Sequence, residues 1–458
     1  MSDVIDASML TLAQQLRTRQ TSVPELVEAC LAREEATHDL NAFSEVYVSQ
    51  VRQSANASQR MLDQGYDPGP LHGMPIAIKA NIDLAGEEMH AGSRILSGNI
   101  ASRDAVVVQR LKQAGALIIG STNMHEFAWG GTTNNPHYGA SSNPWDDTRI
   151  PAGSSGGSGV AASVRSALAT LGTDTGGSIR LPASMNGITG LRPGVGRLST
   201  AGIFPLATSL DTVGPLARYA EECEVLFNVL DGRAQPGTLS QLPELAGLRI
   251  GLLPDVHQQV QSDVAAAYDH MVQWYSAAGA RCQTLNIHGL DQAVNALVLI
   301  NLAEPASLHA AWLADRPHEY GEDVRKLLQA GLSITAVEYL QAQRFRTSLR
   351  MQLLHHLSQV EVILVPTLPF TAPHKGLEAI QMGDREESVL TGNMRYNALA
   401  SLSALPAISQ PAGFDRDGMP IGMQLIGRDG AERQLLAMAR RFQQEHDYHL
   451  QTPTRLRA

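Results

Sequence analysis

Cysteine is scarce in this chain. Only three of the 458 residues are Cys, namely Cys30, Cys223 and Cys282, and they lie far apart with no metal-type pairing. That excludes a disulfide framework and fits a reduced, cytoplasmic setting in which each is a small buried hydrophobe. Positive charge is also in deficit, with 35 Lys and Arg against 45 Asp and Glu and a formal net charge of -10. Wrapping nucleic acid or lying on an anionic membrane needs clustered positive charge, so neither partner is expected. No apolar run reaches the ~18 residues that cross a bilayer. The start, MSDVIDASML, lacks the basic segment and apolar core of a secretory signal. There is no internal repeat, no HExxH and no lysine after a phosphate-cradling glycine loop, so no metal or cofactor is expected. A hydrophobic share of 43% leaves ample material for a substantial core, in one large α/β domain or two smaller ones.

Glycine and serine, by contrast, are concentrated between Ile150 and Ala183. Two clusters, Gly153 to Ser158 and Gly172 to Ser178, flank the apolar spacer Val160, Ala161, Ala162, Val164, Ala167, Leu168 and Leu171. A flexible linker would be rich in the same residues, but this spacer is helical in pattern and apolar enough to be buried. Two glycine-rich turns brought side by side by a packed helix is the sharper reading. Glycines permit backbone angles closed to other residues and leave N–H groups bare enough to approach a ligand oxygen. Such amides build an oxyanion hole. Ser178, directly after Thr175-Gly176-Gly177, stands where it can attack an acyl carbon, and is the candidate nucleophile.

Along the chain, residues 1 to 60 read as a helical layer, with Ser22, Pro24 and Glu25 opening a helix. A buried-type strand, Pro75 to Ile78, delivers Lys79 at its end. Asp104 is expected to cap a helix running to Gln113, with Gly115 ending it before the strand Ala116 to Ile119. The segment from Gly120 to Trp145, rich in amides and aromatics, suits a pocket wall. A break is expected at Asp231 to Pro243. Beyond it come a strand at 248–253 and a mostly helical stretch over about 264–358. Val362 to Pro366 reads as a buried strand. Leu405 to Gly413 and Ile421 to Ile426 flank the turn Asp417-Gly418, and the last helix shares Leu435, Met438, Ala439 and Phe442 on one face. Strands alternating with helices imply an α/β fold with a large mixed, mainly parallel sheet covered by helices on both faces.

Three motifs in this order, GMPIAIK at 73–79, PAGSSGGS at 151–158 and GTDTGGSIRLPA at 172–183, resemble the amidase signature family of serine hydrolases. The resemblance extends through TNMHEFAWG, SLDTVGPLAR at 209–218, LPAIS at 405–409 and MPIGMQLIG at 419–427, and so covers most of the chain. It implies one amidase domain over 1–458, with 1–60 an N-terminal helical layer and about 232–360 a variable, mostly helical pocket region. It also implies Ser178 as nucleophile, Ser154 after a cis peptide bond as proton relay, and Lys79 as base. The oxyanion hole would comprise the N–H groups of Thr175, Gly176, Gly177 and Ser178. A lysine can act as base only when neutral, and the end of an apolar strand suits the necessary desolvation. Asp174 and Arg180 would brace the nucleophile loop by pairing, and Ser155 would be hydrogen-bonding scaffold. The sequence departs from the usual family pattern at Ala80, where aspartate is common, and at Ala152, where glycine is common. Met124, Trp129 and Ile179 are candidates for the substrate pocket wall, implying an apolar or aryl amide. An acidic substrate would call for an arginine such as Arg395.

Other classes are weaker. Gly157 to Ala162 fits G-x-G-x-x-A, but no apolar strand precedes it, as dinucleotide binding requires. His72 and His90 read as structural. Carbamates, urethanes and biuret-type ureas share the tetrahedral chemistry and remain open as substrates. So does a glutaminase subunit of a tRNA-dependent amidotransferase, and a homodimer is left open.

Overall fold

The computed structural model describes residues 4–233 and 237–457. Met1 to Asp3 of the N-terminal segment, and Ala234, Gln235 and Pro236 of the expected break, lie outside the described residues. Eleven strands form one sheet. Across it in space they run Phe43–Val46, Leu117–Thr122, Pro75–Lys79, Ala169–Asp174, Thr212–Ala217, Thr189–Arg192, Ala407–Phe414, Pro420–Gly427, Val362–Pro366, Arg249–Leu252 and Arg281–Thr284. The sheet is mixed. Parallel pairing occupies two blocks, 117–122 with 75–79 with 169–174, and 362–366 with 249–252 with 281–284. Antiparallel strands join them. Successive strand residues point to opposite faces, so a strand buried at every position must be covered on both. That holds for Pro75–Lys79, Ala169–Asp174, Thr189–Arg192, Thr212–Ala217, Val362–Pro366 and Pro420–Gly427.

Local signals acted where they were expected, with exceptions. Ser22 and Glu25 form a reciprocal capping box on the helix Val23–Ala36. The last helix, Glu432–Gln443, buries Leu435, Met438, Ala439 and Phe442. Asp104 does not cap the helix Val106–Gln113. Ala105 holds that position, and the Asp104 carboxylate accepts from the Ala85 N–H at 2.8 Å and pairs with Lys112. The first sixty residues are not wholly helical, because Phe43–Val46 adds an edge strand to the sheet. The spacer between the glycine clusters is also shorter as a helix than its apolar pattern suggests. The helix Gly156–Val164 ends at Arg165 in a left-handed turn (φ 64°), and Ala169 to Asp174 is strand. A buried guanidinium explains the break: Arg165 pairs with the buried Glu222 at 2.9 Å and donates to the Ile5 and Ala7 carbonyls.

Among the described residues one helix, Leu290–Asp315, is long and apolar enough by length and composition to cross a membrane, which the absence of an unbroken apolar run did not anticipate. Here Glu304 on that helix accepts from the Ser209 N–H and hydroxyl and from the Tyr339 hydroxyl.

Candidate active site

The strand Pro75–Lys79 ends with Lys79 fully buried. Its Nζ lies 2.8 Å from Ser154 Oγ and 2.8 Å from Thr173 Oγ1. Removing an ammonium from water is the dominant effect on this group. Burial draws it down to about 7, against the opposing pull of the Asp174 and Asp211 carboxylates. Ser154 follows a cis peptide bond from Gly153, and its carbonyl accepts the His125 N–H at 3.1 Å. No bulk is tolerated at Gly153, where a Cβ would meet Gly130 O at 2.8 Å and the Thr132 and Thr133 nitrogens at 2.9 Å. The two departures from the family pattern leave these contacts intact. Ala80 is buried with its N–H on the Thr122 carbonyl, and Ala152 adopts φ 63° with its carbonyl on Thr133 Oγ1.

The strand Ala169–Asp174 delivers the second cluster beside the first. Ser155 Oγ donates to the Thr173 carbonyl and accepts the Thr173 N–H, stitching the clusters together. Ser155 is therefore scaffold. Asp174 is the anchor of the turn that follows. Burial would raise its carboxyl, but Arg180 and Arg192 outweigh that and hold it well below the usual carboxylate range. Both guanidinium groups reach it at 2.8–2.9 Å with all three side chains buried. Arg180 also donates to Gln424 Oε1, Ser401 Oγ and the Asn397 carbonyl. Asp174 and Arg180 pair as expected, whereas Arg192 was not anticipated, since nothing local in the sequence links it to the turn.

Asp174 also changes the candidate oxyanion hole. Its Oδ1 accepts the Gly177 N–H at 3.0 Å, and Oδ2 the Ile179 N–H at 3.2 Å. The Gly177 amide is therefore committed to the protein and is not available to a ligand oxygen. Gly177 is needed for shape instead: it sits at φ 133°, and a Cβ there would press on Asn397 and Leu181 at 3.0 Å. Among the described residues, the amides of Thr175, Gly176 and Ser178 have no acceptor. Thr175 is held from its side chain, which donates to Asp211 at 2.5 Å. Burial pushes the Asp211 carboxyl up to about 6.

Ser178 and Gly176 line a narrow cavity of about 80 Å³. Trp129, Leu181, Val298, Leu302, Leu327 and Leu390 make it apolar, and among the described residues none of those lining it is charged. Gly130, whose carbonyl crowds Gly153 in the first turn, lies in its wall. The loop bearing Trp129 is pinned by the buried Glu126, which accepts from Ser93 Oγ, the Gly321 N–H and His137 Nε2 at 2.5, 2.7 and 3.0 Å. Met124 and Ile179 do not line the cavity. Met124 is buried in the cluster behind the loop, against Gly92, and Ile179 is buried with Ala162, Ala183, Ile188 and Leu216. In each case the backbone turn directs the side chain into the core. Arg395 is bound to Glu387 at 2.5 Å and does not line the cavity either. His72 and His90 make structural hydrogen bonds, to Ser58 and to Ser44 and the Gly92 N–H.

An α/β enzyme with polar side chains gathered at strand ends beside an apolar cavity is the class that fold and site define. The chain matches the Amidase family over residues 25–436, and it belongs to that family. A glutamyl-tRNA(Gln) amidotransferase subunit of Prosthecochloris aestuarii is 33% identical over 476 residues, covering 95% of this chain and 98% of that one. A crystal structure of an amidase superposes with TM-score 0.90 at 31% identity, over 96% of this chain and 100% of the other. A chain from a vestigial protein complex that bears on the origins of an s-triazine catabolic enzyme gives 0.88 at 32% identity, over 96% and 98%. Amidase-family C–N hydrolysis is thus the chemistry of this fold.

Proposed function

We propose that the chain is a cofactor-independent amidase in which Ser178 forms an acyl-enzyme, Ser154 relays protons and Lys79 is the base. The observation that carries this reading is the buried Lys79, bonded to Ser154 at 2.8 Å and drawn down to about 7. A serine hydroxyl is a weak nucleophile unless a base takes its proton. With Nζ neutral, Ser154 donates its hydroxyl proton to Lys79 while taking that of Ser178, which attacks the amide carbon. The developing oxyanion is held by the amides of Thr175, Gly176 and Ser178. Ser154 then returns the proton to the departing nitrogen, and water repeats the sequence on the acyl-enzyme.

The uncharged, apolar wall supports a small substrate with an apolar or aryl part. The helices between 290 and 331, which lie inside the expected pocket region of about 232–360, contribute Val298, Leu302 and Leu327 to that wall, in support of that reading. Glutamine hydrolysis for a partner subunit is the second reading, favoured by the name of the 33%-identical relative. It is weakened by the absence of a charged side chain, among the described lining residues, to meet the ammonium and carboxylate of glutamine. The test is a hydrolysis panel of a nitroanilide, the matching aryl carbamate, a primary amide, a biuret-type urea and glutamine, with Ser178→Ala as blank. Turnover of an anilide, carbamate or simple amide that vanishes in the blank is expected. Turnover of glutamine alone would transfer the assignment to the subunit reading.

A further inference from the structure

The apolar cavity has two polar side chains in its wall that the proposed reaction does not use. Asn301, on the helix Leu290–Asp315, is 8% exposed, and Asn393, on the helix Val389–Met394, is 2% exposed. The side-chain oxygen of each is buried and, among the described residues, has no hydrogen-bond partner. The two stand at the reacting end of the cavity. Asn301 Nδ2 lies 3.4 Å from where a Cβ on Gly176 would be, and Asn393 Nδ2 lies 2.5 Å from the equivalent point on Gly131. Asn393 is oriented by its own bond, since Nδ2 donates to the Gly131 carbonyl at 3.5 Å and leaves Oδ1 as the free acceptor.

A buried carboxamide oxygen without a donor is costly, and an apolar wall offers it none. Either the oxygens are a standing defect or something that enters the cavity satisfies them. We propose that Asn301 and Asn393 form a polar clamp that selects substrates carrying a second, uncharged N–H-bearing group, of ureido or carboxamide type, close to the scissile carbonyl. Charged groups are excluded by the same wall, because nothing in it would compensate their desolvation. Apolar amides of equal shape enter but leave both oxygens unpaired. Discrimination of this kind is stronger than discrimination by size, since a site built around a hydrogen bond rejects the analogue that lacks it. The clamp rests on the reading that Ser178 is the reacting group.

Two primary amides of nearly identical shape test it, ureidoacetamide and 4-methylpentanamide, in which an isopropyl-methylene end replaces the ureido end. The wild-type chain is expected to favour ureidoacetamide in kcat/KM by about tenfold to a hundredfold, the range of one or two buried hydrogen bonds. Asn393→Leu and Asn301→Leu, close in volume, should each bring the ratio of the two rates down toward one. The ratio of the two rates within one preparation does not depend on how much of a variant is folded. Equal rates in the wild-type chain, or a ratio unchanged in both variants, would overturn the clamp. Calorimetric binding of the two amides to Ser178→Ala, and to its doubles with each Leu substitution, gives the same comparison without turnover: equal affinities there overturn the clamp even if neither amide is hydrolysed. Persistence of hydrolysis in Ser178→Ala would overturn the catalytic assignment instead, leaving the binding ratio to judge the clamp.

Discussion

Replacing Lys79 by Met should change stability in a way that depends on pH, and the size follows from the site. The ordinary lysine value of 10.5 is lowered to about 7 in the fold, a difference of about 3.5 units. At about 1.4 kcal/mol per unit, this corresponds to about 5 kcal/mol. The sign is set by which state holds the proton. Between pH 7 and 10.5 the unfolded chain keeps a proton on Lys79 that the folded chain has released, so folding stability rises with pH across that window. At pH 7 and below, the wild-type chain bears the full penalty of about 5 kcal/mol, and above 10.5 it bears none. The Met variant lacks the penalty at every pH but leaves the Ser154 and Thr173 hydroxyls without their partner, a constant loss of about 1–3 kcal/mol. It should therefore be the more stable protein at pH 7, by about 2–4 kcal/mol, and lose that lead by about 1.4 kcal/mol per pH unit toward pH 10. For 458 residues the entropy of unfolding makes about 1 kcal/mol equal to about 1 °C in Tm. Calorimetric melts of both proteins at pH 7, 8 and 9 read the difference directly. Parallel Tm curves for the two proteins would refute the claim that Lys79 is neutral in the fold. The same neutrality requires wild-type kcat/KM to rise with pH through about 7, and the variant should lose both that limb and most activity.

Two further outcomes are expected. Asp174→Asn leaves the buried Arg180 and Arg192 without their shared carboxylate, so it should cost about 3–5 kcal/mol and lower Tm by a few degrees; an unchanged melt would show that the pair does not hold the turn. Trp129→Ala opens the apolar wall beside Ser178 and should alter relative kcat/KM across aryl and alkyl amides by about tenfold or more, while acylation by a small reagent changes little. Uniform losses on every substrate and on the reagent would place Trp129 in the structure of the loop, not in selectivity.

How far the site could be read in advance differs from residue to residue. Lys79 was legible through the family resemblance and not from its strand, since a lone lysine after an apolar strand usually ends at solvent, whereas this one is fully buried. Asp174 with Arg180 was legible because six positions apart across a tight glycine turn is within reach of a long guanidinium. Arg192, Asn301 and Asn393 were not, since each arrives from a separate element and carries no local mark of its destination. The wall residues Met124 and Ile179 misled for a related reason: adjacency to a motif fixes where a backbone passes but not which way a side chain turns. The Gly177 amide shows the same limit at finer scale. A run of glycines marks free N–H groups, and only the approach of the Asp174 carboxylate decides that one of them is already taken.

By itself, the amino-acid sequence determined the alternation of strand and helix, the capping box at Ser22 and Glu25 and the two glycine-serine turns, because these depend on backbone angles, periodicity and intrinsic chemistry within a few residues. Tertiary structure alone decided the mixed order of the eleven strands, the burial that lowers the proton affinity of Lys79, the choice of free amides at the turn and the polar corner of an otherwise apolar cavity. These depend on burial and on contacts between residues up to hundreds of positions apart, and neither exists until the sheet closes over them.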